Sequence, residues 1–446
     1  MNFDLIIIGT GMSAQGAARA VREAGWSVAI IDEKPFGGTC PLRGCDPKKM
    51  LVAGVEVIDA ARRMRGNGVD GAVRIHWKEL IAFKRGFTDP VPAKTERRFL
   101  DSKFATFHGT ARFRSPRSLT VDGTKLVGRH FLLASGAHPV KLGIPGEEYL
   151  IDNEAFMALE RLPRRIALVG GGYIAAEFSH IAARAGAEVT VLQRADRMLT
   201  GFEPELVGWL MDSFQAIGVD VRTGTTVKGI ARSGDGFIVD VDGEQGANRV
   251  EADLVVHAAG RGPALQELNL AAAEVETENG RLKLNEFLQS VSNPTVYAVG
   301  DAAQIGPPLT PVATRDGKIA AANLTKGNHV RPDYSGVPSV AFTLPPIARV
   351  GMSEEQALTS GLKYRVKCER TSGWYTARRV AEPVYGYKTI VDDETGRIMG
   401  VHLVGPNADE VINLFGLAIR HGLTADDLKS TMFAYPTGAS DISSML

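Results

Sequence analysis

Two cysteines with four residues between them, Cys40 and Cys45, are the residues of this sequence best placed to do chemistry. They lie in Gly37-Gly38-Thr39-Cys40-Pro41-Leu42-Arg43-Gly44-Cys45-Asp46-Pro47-Lys48-Lys49. Such a pair can be half of a zinc site, two buried thiols or a redox couple. Zinc asks for about four ligands, yet the chain has only 3 cysteines, Cys368 is remote, and no Cys or His pair stands nearby. A redox couple is the better reading. Pro47-Lys48-Lys49 opens a helical pattern, and a helix N-terminus stabilises the thiolate released when a disulfide opens. No metal site is expected.

A redox couple needs an electron source, and the elements around it supply one. Phe3 to Ile8 is a short β-branched run of the kind found in buried parallel strands. It is followed by Gly9-Thr10-Gly11-Met12-Ser13-Ala14, a helical pattern to Ala24, and a second strand from Val28 that ends in Asp32. The glycines allow close backbone approach to a pyrophosphate at the helix N-terminus, and the acid accepts from a ribose diol. Ile166 to Val169, Gly170-Gly171-Gly172-Tyr173 and a helix to about Ala185 repeat the unit downstream. Two fingerprints imply two dinucleotides. The second unit's strand Glu188 to Leu192 ends in Gln193-Arg194, with Arg197 close behind and no acid. Arginines in that place suit the 2′-phosphate of NADPH, and NADH fits less well.

Composition sets the outer limits. The chain has 446 residues, enough for two or three domains, and equal numbers of basic and acidic residues, 51 each. Balanced charge argues against nucleic-acid binding. Few cysteines, no signal-peptide layout and no apolar run of membrane-spanning length give the expectation of a cytoplasmic protein without a membrane partner. Further along, Lys48 to about Met64 reads as a helix, Phe131 to Gly136 as a strand ending in small residues, and Leu254 to Gly260 as a strand running into glycine. Val296 to Asp301 is another strand, and Thr310-Pro311 begins a helix to about Lys326, with Pro at a favourable first-turn position. From Tyr334 onward, strands and helices mix without a third fingerprint. The fold class is therefore α/β, with two Rossmann-like dinucleotide-binding domains and a C-terminal α+β domain for dimerisation.

These motifs together resemble the FAD-dependent pyridine nucleotide–disulfide oxidoreductases of the glutathione reductase, lipoamide dehydrogenase and mercuric reductase type. The resemblance covers essentially the whole chain. It rests on 37–49, Ala134-Ser135-Gly136, 170–177, Tyr297-Ala298-Val299-Gly300-Asp301-Ala302, Thr310-Pro311-Val312-Ala313 and 342–348. It implies an FAD domain in two parts (1–145 and 263–333), an NAD(P) domain (146–262) and an interface domain (334–446). The implied assembly is a homodimer whose active site is shared across the interface. Gly9, Gly11, Ala14, Asp32, Gly38, Thr39, Lys49, Ala111, Ser135, Gly136, Asp301 and Thr310 would serve FAD. Gly170, Gly172, Tyr173, Arg194, Arg197 and Gly260 would serve NADPH. Cys45 would form the charge-transfer thiolate against the flavin and Cys40 would be the interchange thiol. Lys48 would pair with Glu177, and Tyr173 would gate the nicotinamide pocket.

One segment departs from the family pattern. A C-terminal His-Pro-Thr-x-x-Glu is expected, but the chain reads Tyr435-Pro436-Thr437-Gly438-Ala439-Ser440-Asp441. A tyrosine, with pKa near 10, donates a proton but is a poor base at neutrality. Tyr at this position resembles mercuric reductases, yet the chain ends Ser443-Ser444-Met445-Leu446, without their C-terminal cysteine pair. Arg43 either lowers a thiolate pKa or points to solvent, and Asp46 opposes the thiolate. The leading expectation is an enzyme that passes electrons from NADPH through FAD and the Cys40–Cys45 disulfide to a small electrophile: an atypical disulfide, a metal ion or a quinone. Alternatives are a low-molecular-weight disulfide reductase with a non-His proton donor and a non-catalytic redox sensor.

Overall fold

A computed structural model describes residues 1–243 and 246–446. The chain forms two compact units. The first comprises Met1–Lys48, Ala82–Val140 and Arg261–Tyr334; the second comprises Lys49–Ile81, Lys141–Gly260 and Ser335–Leu446.

The first unit is built on a 7-stranded sheet. Strand Asn2–Ile8 pairs in parallel with Val28–Asp32 on one side and Thr124–Leu133 on the other, and Val296–Ala298 adds in parallel beyond Thr124–Leu133. Leu5 to Ile8 are all buried, because both faces of the sheet are covered. Alternate residues serve opposite cores: Leu5 and Ile7 pack on one face, Ile6 and Ile8 on the other. Helices Met12–Glu23 and Thr310–Lys326 lie against each other, and two glycines make that approach possible. A Cβ on Gly16 would stand 2.6 Å from the Thr314 carbonyl oxygen, and one on Gly317 would stand 2.1 Å from that of Ser13.

The second unit contains a 4-stranded parallel sheet in the order Val219–Arg222, Glu188–Leu192, Arg165–Val169, Leu254–His257. Helix Tyr173–Arg184 follows its fingerprint strand, and a three-stranded antiparallel meander spans 226–252. Residues 335–446 carry a 5-stranded antiparallel sheet, which helix Ala408–His421 packs against. The expected α/β class, with two Rossmann-like sheets and an α+β end, is what the chain forms. Some boundaries differ: the strand expected over Phe131 to Gly136 runs over Thr124–Leu133, that expected over Val296 to Asp301 ends at Ala298, and the helix expected from Lys48 begins at Cys45 and runs to Arg63. The apolar periodicity that marks a helix starts only at Leu51, so its first turn, with Pro47 tolerated there, is silent in the hydrophobic pattern.

Among the described residues, no helix is long and apolar enough to cross a membrane. None of their His, Cys, Asp and Glu side chains are grouped to hold a metal ion.

Candidate active site

Cys45 is the first residue of its helix, and Cys40 sits in the short helix Thr39–Arg43 just before it. All three cysteines are free thiols in this structure. The pair is electrically unequal. Cys45 is lowered to about 6, first by the hydrogen bond that Cys40 donates to it, then by the Thr310 hydroxyl and the Lys48 ammonium, against burial and Asp46. Cys40 is raised, chiefly because it keeps the shared proton. Cys45 Sγ lies 3.4 Å from Thr310 Oγ1, and Thr310 is the first residue of its helix. The thiolate therefore faces two helix N-termini, its own and that of 310–326, each a partial positive charge. The cation that acts on Cys45 is Lys48, one turn along the helix. Asp46 works against the thiolate, as its charge requires, and its Oδ1 stands 3.8 Å from Cys40 Sγ.

The first fingerprint is a tight cradle. Gly9 has φ of 107°, and a Cβ there would stand 2.2 Å from the Ala134 carbonyl oxygen. Gly11 caps helix Met12–Glu23 with no side-chain hydrogen bond, which leaves its first N–H groups for an anion. Ala14 is fully buried behind this turn. Gly38, with φ of 78°, closes on the same turn, since its Cβ would meet Gly11 Cα at 2.3 Å. Asp32 ends its strand as expected, but its carboxylate already accepts from Thr10 N at 2.9 Å, Thr10 Oγ1 at 2.5 Å and Lys34 N at 3.0 Å. Oδ1, which accepts only from Lys34 N, keeps lone-pair capacity for a ribose hydroxyl. Thr10 Oγ1 also accepts from Gly37 N at 3.0 Å. Thr10 thus ties the glycine turn, the acid and the cysteine segment together. It is a functional residue the sequence reading passed over, because fingerprint logic treats that position as free.

The remaining residues expected at this cofactor are placed as follows. Thr39 opens the helix that carries Cys40. Ala111 is buried at the start of strand Ala111–Ser115. Ser135 spends its hydroxyl on the Ala264 carbonyl at 2.7 Å, which leaves the backbone at Gly136, with φ of 75°, as the adaptable part. Burial raises the Asp301 carboxyl and Arg261 opposes that rise. Lys49 lies in the second unit; its Nζ stands 3.4 Å from Glu56, 3.8 Å from Asp409 and 4.4 Å over the Phe342 ring. The donor set, the glycine cradle and the helix terminus fit the pyrophosphate, ribose and ribityl groups of FAD.

In the second unit, Gly170 has φ of 112° and its Cβ would meet the Ala258 carbonyl oxygen at 2.3 Å. Gly172 caps helix Tyr173–Arg184 with nothing within 4 Å of its Cβ position. That open helix terminus suits a second pyrophosphate. Gly260, with φ of 109°, is equally open. Arg194 is exposed. Arg197 is half-buried, pairs with Asp196 at 3.5 Å and donates to the Thr200 carbonyl at 3.2 Å. Its loop returns to the fingerprint, with Leu199 N donating to the Gly171 carbonyl at 2.8 Å. Glu177 is buried and accepts from Phe342 N at 3.0 Å. Tyr173 is 38% exposed and meets Phe202 edge-on.

At the C-terminal end, Tyr435 is 79% exposed and its ring centroid lies 6.5 Å from that of Tyr375. Asp441 Oδ2 accepts from Tyr385 Oη at 2.8 Å within its own chain. Ser440 closes a local turn with Thr437. Cys368 is half-buried in strand Tyr364–Arg370, and burial pushes its thiol up to about 11.

A family model described as pyridine nucleotide-disulphide oxidoreductase matches residues 3–317. Its dimerisation domain matches residues 337–446. The chain is 32% identical over 446 residues to a mercuric reductase from Lysinibacillus sphaericus, covering 99% of this chain and 81% of that one. It is also 32% identical over 442 residues to a glutathione reductase from Burkholderia cepacia, covering 99% and 97%. A solved structure, the Cu(II) complex of a cysteine variant of the HOCl-induced flavoprotein disulfide reductase RclA from Escherichia coli, superposes with a TM-score of 0.89. It shares 26% identity over 100% of this chain and 99% of that one.

Proposed function

The chain belongs to the pyridine nucleotide–disulphide oxidoreductases, FAD- and NAD(P)H-using enzymes, and from that premise we propose that it passes electrons from NADPH to a small electrophile through the Cys40–Cys45 pair. FAD, when bound, supplies the two-electron chemistry between nicotinamide and disulfide. Gly9, Gly11, Ala14, Asp32, Gly38 and Asp301 hold it. Gly170, Gly172 and Tyr173 hold the nicotinamide dinucleotide, and Arg194 and Arg197 select its 2′-phosphate. The protein acts as a homodimer in which the Tyr435 segment of one protomer completes the cysteine site of its partner.

The observation that carries this reading is the placement of Cys45 as the first residue of its helix, with its Sγ 3.4 Å from the hydroxyl of Thr310, the first residue of a second helix. Cys45, down to about 6, holds the negative charge, and Cys40 holds the proton, which it must pass to the acceptor's leaving group or to solvent as its sulfur attacks as the thiolate. A passive scaffold gains nothing from a thiolate poised near neutrality. The acceptor is an electrophile that needs no histidine base, with a soft metal ion first, then a quinone or an atypical disulfide. Tyr435 occupies the proton-relay position, Asp441 is bound to Tyr385, and both a mercuric reductase and a Cu(II)-bound reductase resemble the chain.

Steady-state turnover with NADPH against Hg(II), Cu(II), quinones, glutathione disulfide and lipoamide tests it. Turnover of a metal ion or quinone at least about tenfold above glutathione disulfide is expected, since loss of a general acid–base group costs about 10²–10⁴-fold in disulfide reduction. Efficient turnover of glutathione disulfide by the unmodified enzyme would refute the acceptor assignment.

A further inference from the structure

Tyr173 stands at the N-terminus of the second fingerprint helix, half exposed, on a platform made elsewhere in the second unit. Its ring meets Phe202 with centroids 5.6 Å apart at 60°. Phe202 is buried, and the next residue, Glu203, is fixed in turn. Lys388 Nζ, 2% exposed, contacts Glu203 Oε2 at 2.8 Å and Glu205 Oε1 at 2.9 Å, and pairs with Glu354 as well. One side chain grips this platform and the tyrosine together. Arg349, on strand Ile347–Gly351, sets its guanidinium carbon 5.6 Å from the Phe202 ring centroid. The same carbon lies 3.7 Å from where a Cβ on Gly201 would sit, so the guanidinium packs beside that loop. Burial raises the Tyr173 phenol, and the Arg349 guanidinium and the Ser339 hydroxyl oppose that rise.

We propose that Arg349 is a positioning residue for hydride entry, clamping the Tyr173 ring against Phe202 so that it meets the nicotinamide in one orientation. A guanidinium is suited to such a clamp, because one planar group can both stack on an aromatic ring and offer N–H donors toward a phenol oxygen. A lysine offers a point charge without that fork. The proposal rests on the reading that Tyr173 borders the nicotinamide, and its test separates the two.

The measurement is anaerobic stopped-flow reduction of the FAD-loaded enzyme by NADPH, in the wild type, Arg349→Gln, Arg349→Lys, Tyr173→Ala and the Tyr173→Ala/Arg349→Gln double variant. Arg349→Gln is expected to slow reduction by about 3- to 30-fold, the loss of one desolvated cation–ring clamp, and Arg349→Lys to recover part of it. In the Tyr173→Ala background the Arg349→Gln change is expected to alter the rate by less than about twofold, because the group it acts through is gone. An equal loss in both backgrounds, or no loss in the wild type while Tyr173→Ala is slow, would overturn the role of Arg349. An unchanged rate in Tyr173→Ala would refute the reading of Tyr173 instead. If Arg349→Gln does not fold, Arg349→Lys in the two backgrounds gives the same comparison.

Discussion

Replacing Thr310 by valine removes one hydroxyl and keeps the side-chain volume, the helix and its dipole. That hydroxyl lies 3.4 Å from Cys45 Sγ and is among the groups that bring the thiol from its ordinary 9.0 to about 6. A hydrogen bond to a charged group is worth about 1.5–3 kcal/mol. Cys45 is exposed and the contact is long, so solvent screening trims this to about 1.4 kcal/mol, a factor of ten in the protonation equilibrium. The expectation is a thiolate midpoint that rises from about 6 to roughly 7 in Thr310→Val and stays near 6 in Thr310→Ser. The folded pKa is depressed, so the thiolate is full above it and lost as pH falls through it. The assay is a pH titration of the long-wavelength absorbance of the two-electron-reduced, FAD-loaded enzyme. A wild-type midpoint near the ordinary thiol value would refute the assignment of Cys45. A Thr310→Val midpoint indistinguishable from wild type would refute the role of the hydroxyl.

Two further expectations concern the scaffold. Gly317→Ala drives a methyl to 2.1 Å from the Ser13 carbonyl oxygen and forces apart the helices that follow Gly11 and Leu309. Overpacking of about 1–3 kcal/mol should appear as a lower Tm and a reduced flavin-to-protein absorbance ratio, whereas full flavin content at wild-type Tm would contradict it. Lys388→Met leaves Glu203 buried without its cation. About 3 kcal/mol is lost, the low end for a broken buried pair because Glu205 and Glu354 reach solvent, and Tm should fall by about 3–5 °C in calorimetry. A variant as stable as wild type would show the cluster to be energetically neutral.

Much of the electron route was legible in the sequence. The glycine fingerprints at 9–14 and 170–172 announce themselves, because only glycine allows the backbone approach seen at Gly9 and Gly170. Thr310-Pro311 marks its helix start through a proline that suits the first turn. Local signals of this kind survive in one dimension. What stayed hidden depends on residues far apart in the chain. The hydrophobic period gave no hint that Cys45 opens its helix, since the buried stripe begins a turn later. Thr10 reads as a filler residue until Asp32 and Gly37 are brought to it. Lys388 and Arg349 read as strand lysine and arginine facing water, yet one is enclosed by carboxylates and the other lies across an aromatic ring. Nothing in the order of residues links Asp441 to the Tyr385 hydroxyl that it accepts from.

The central claim is that electrons leave this protein through Cys45 and Cys40. Anaerobic titration of the FAD-loaded enzyme with NADPH, run beside a Cys45→Ser variant, tests it most directly. The first two electrons should give the wild type a long-wavelength absorbance from a thiolate against the flavin while the oxidised flavin band is retained. The variant should instead bleach its flavin band with no such absorbance. Identical titrations for the two proteins would contradict it.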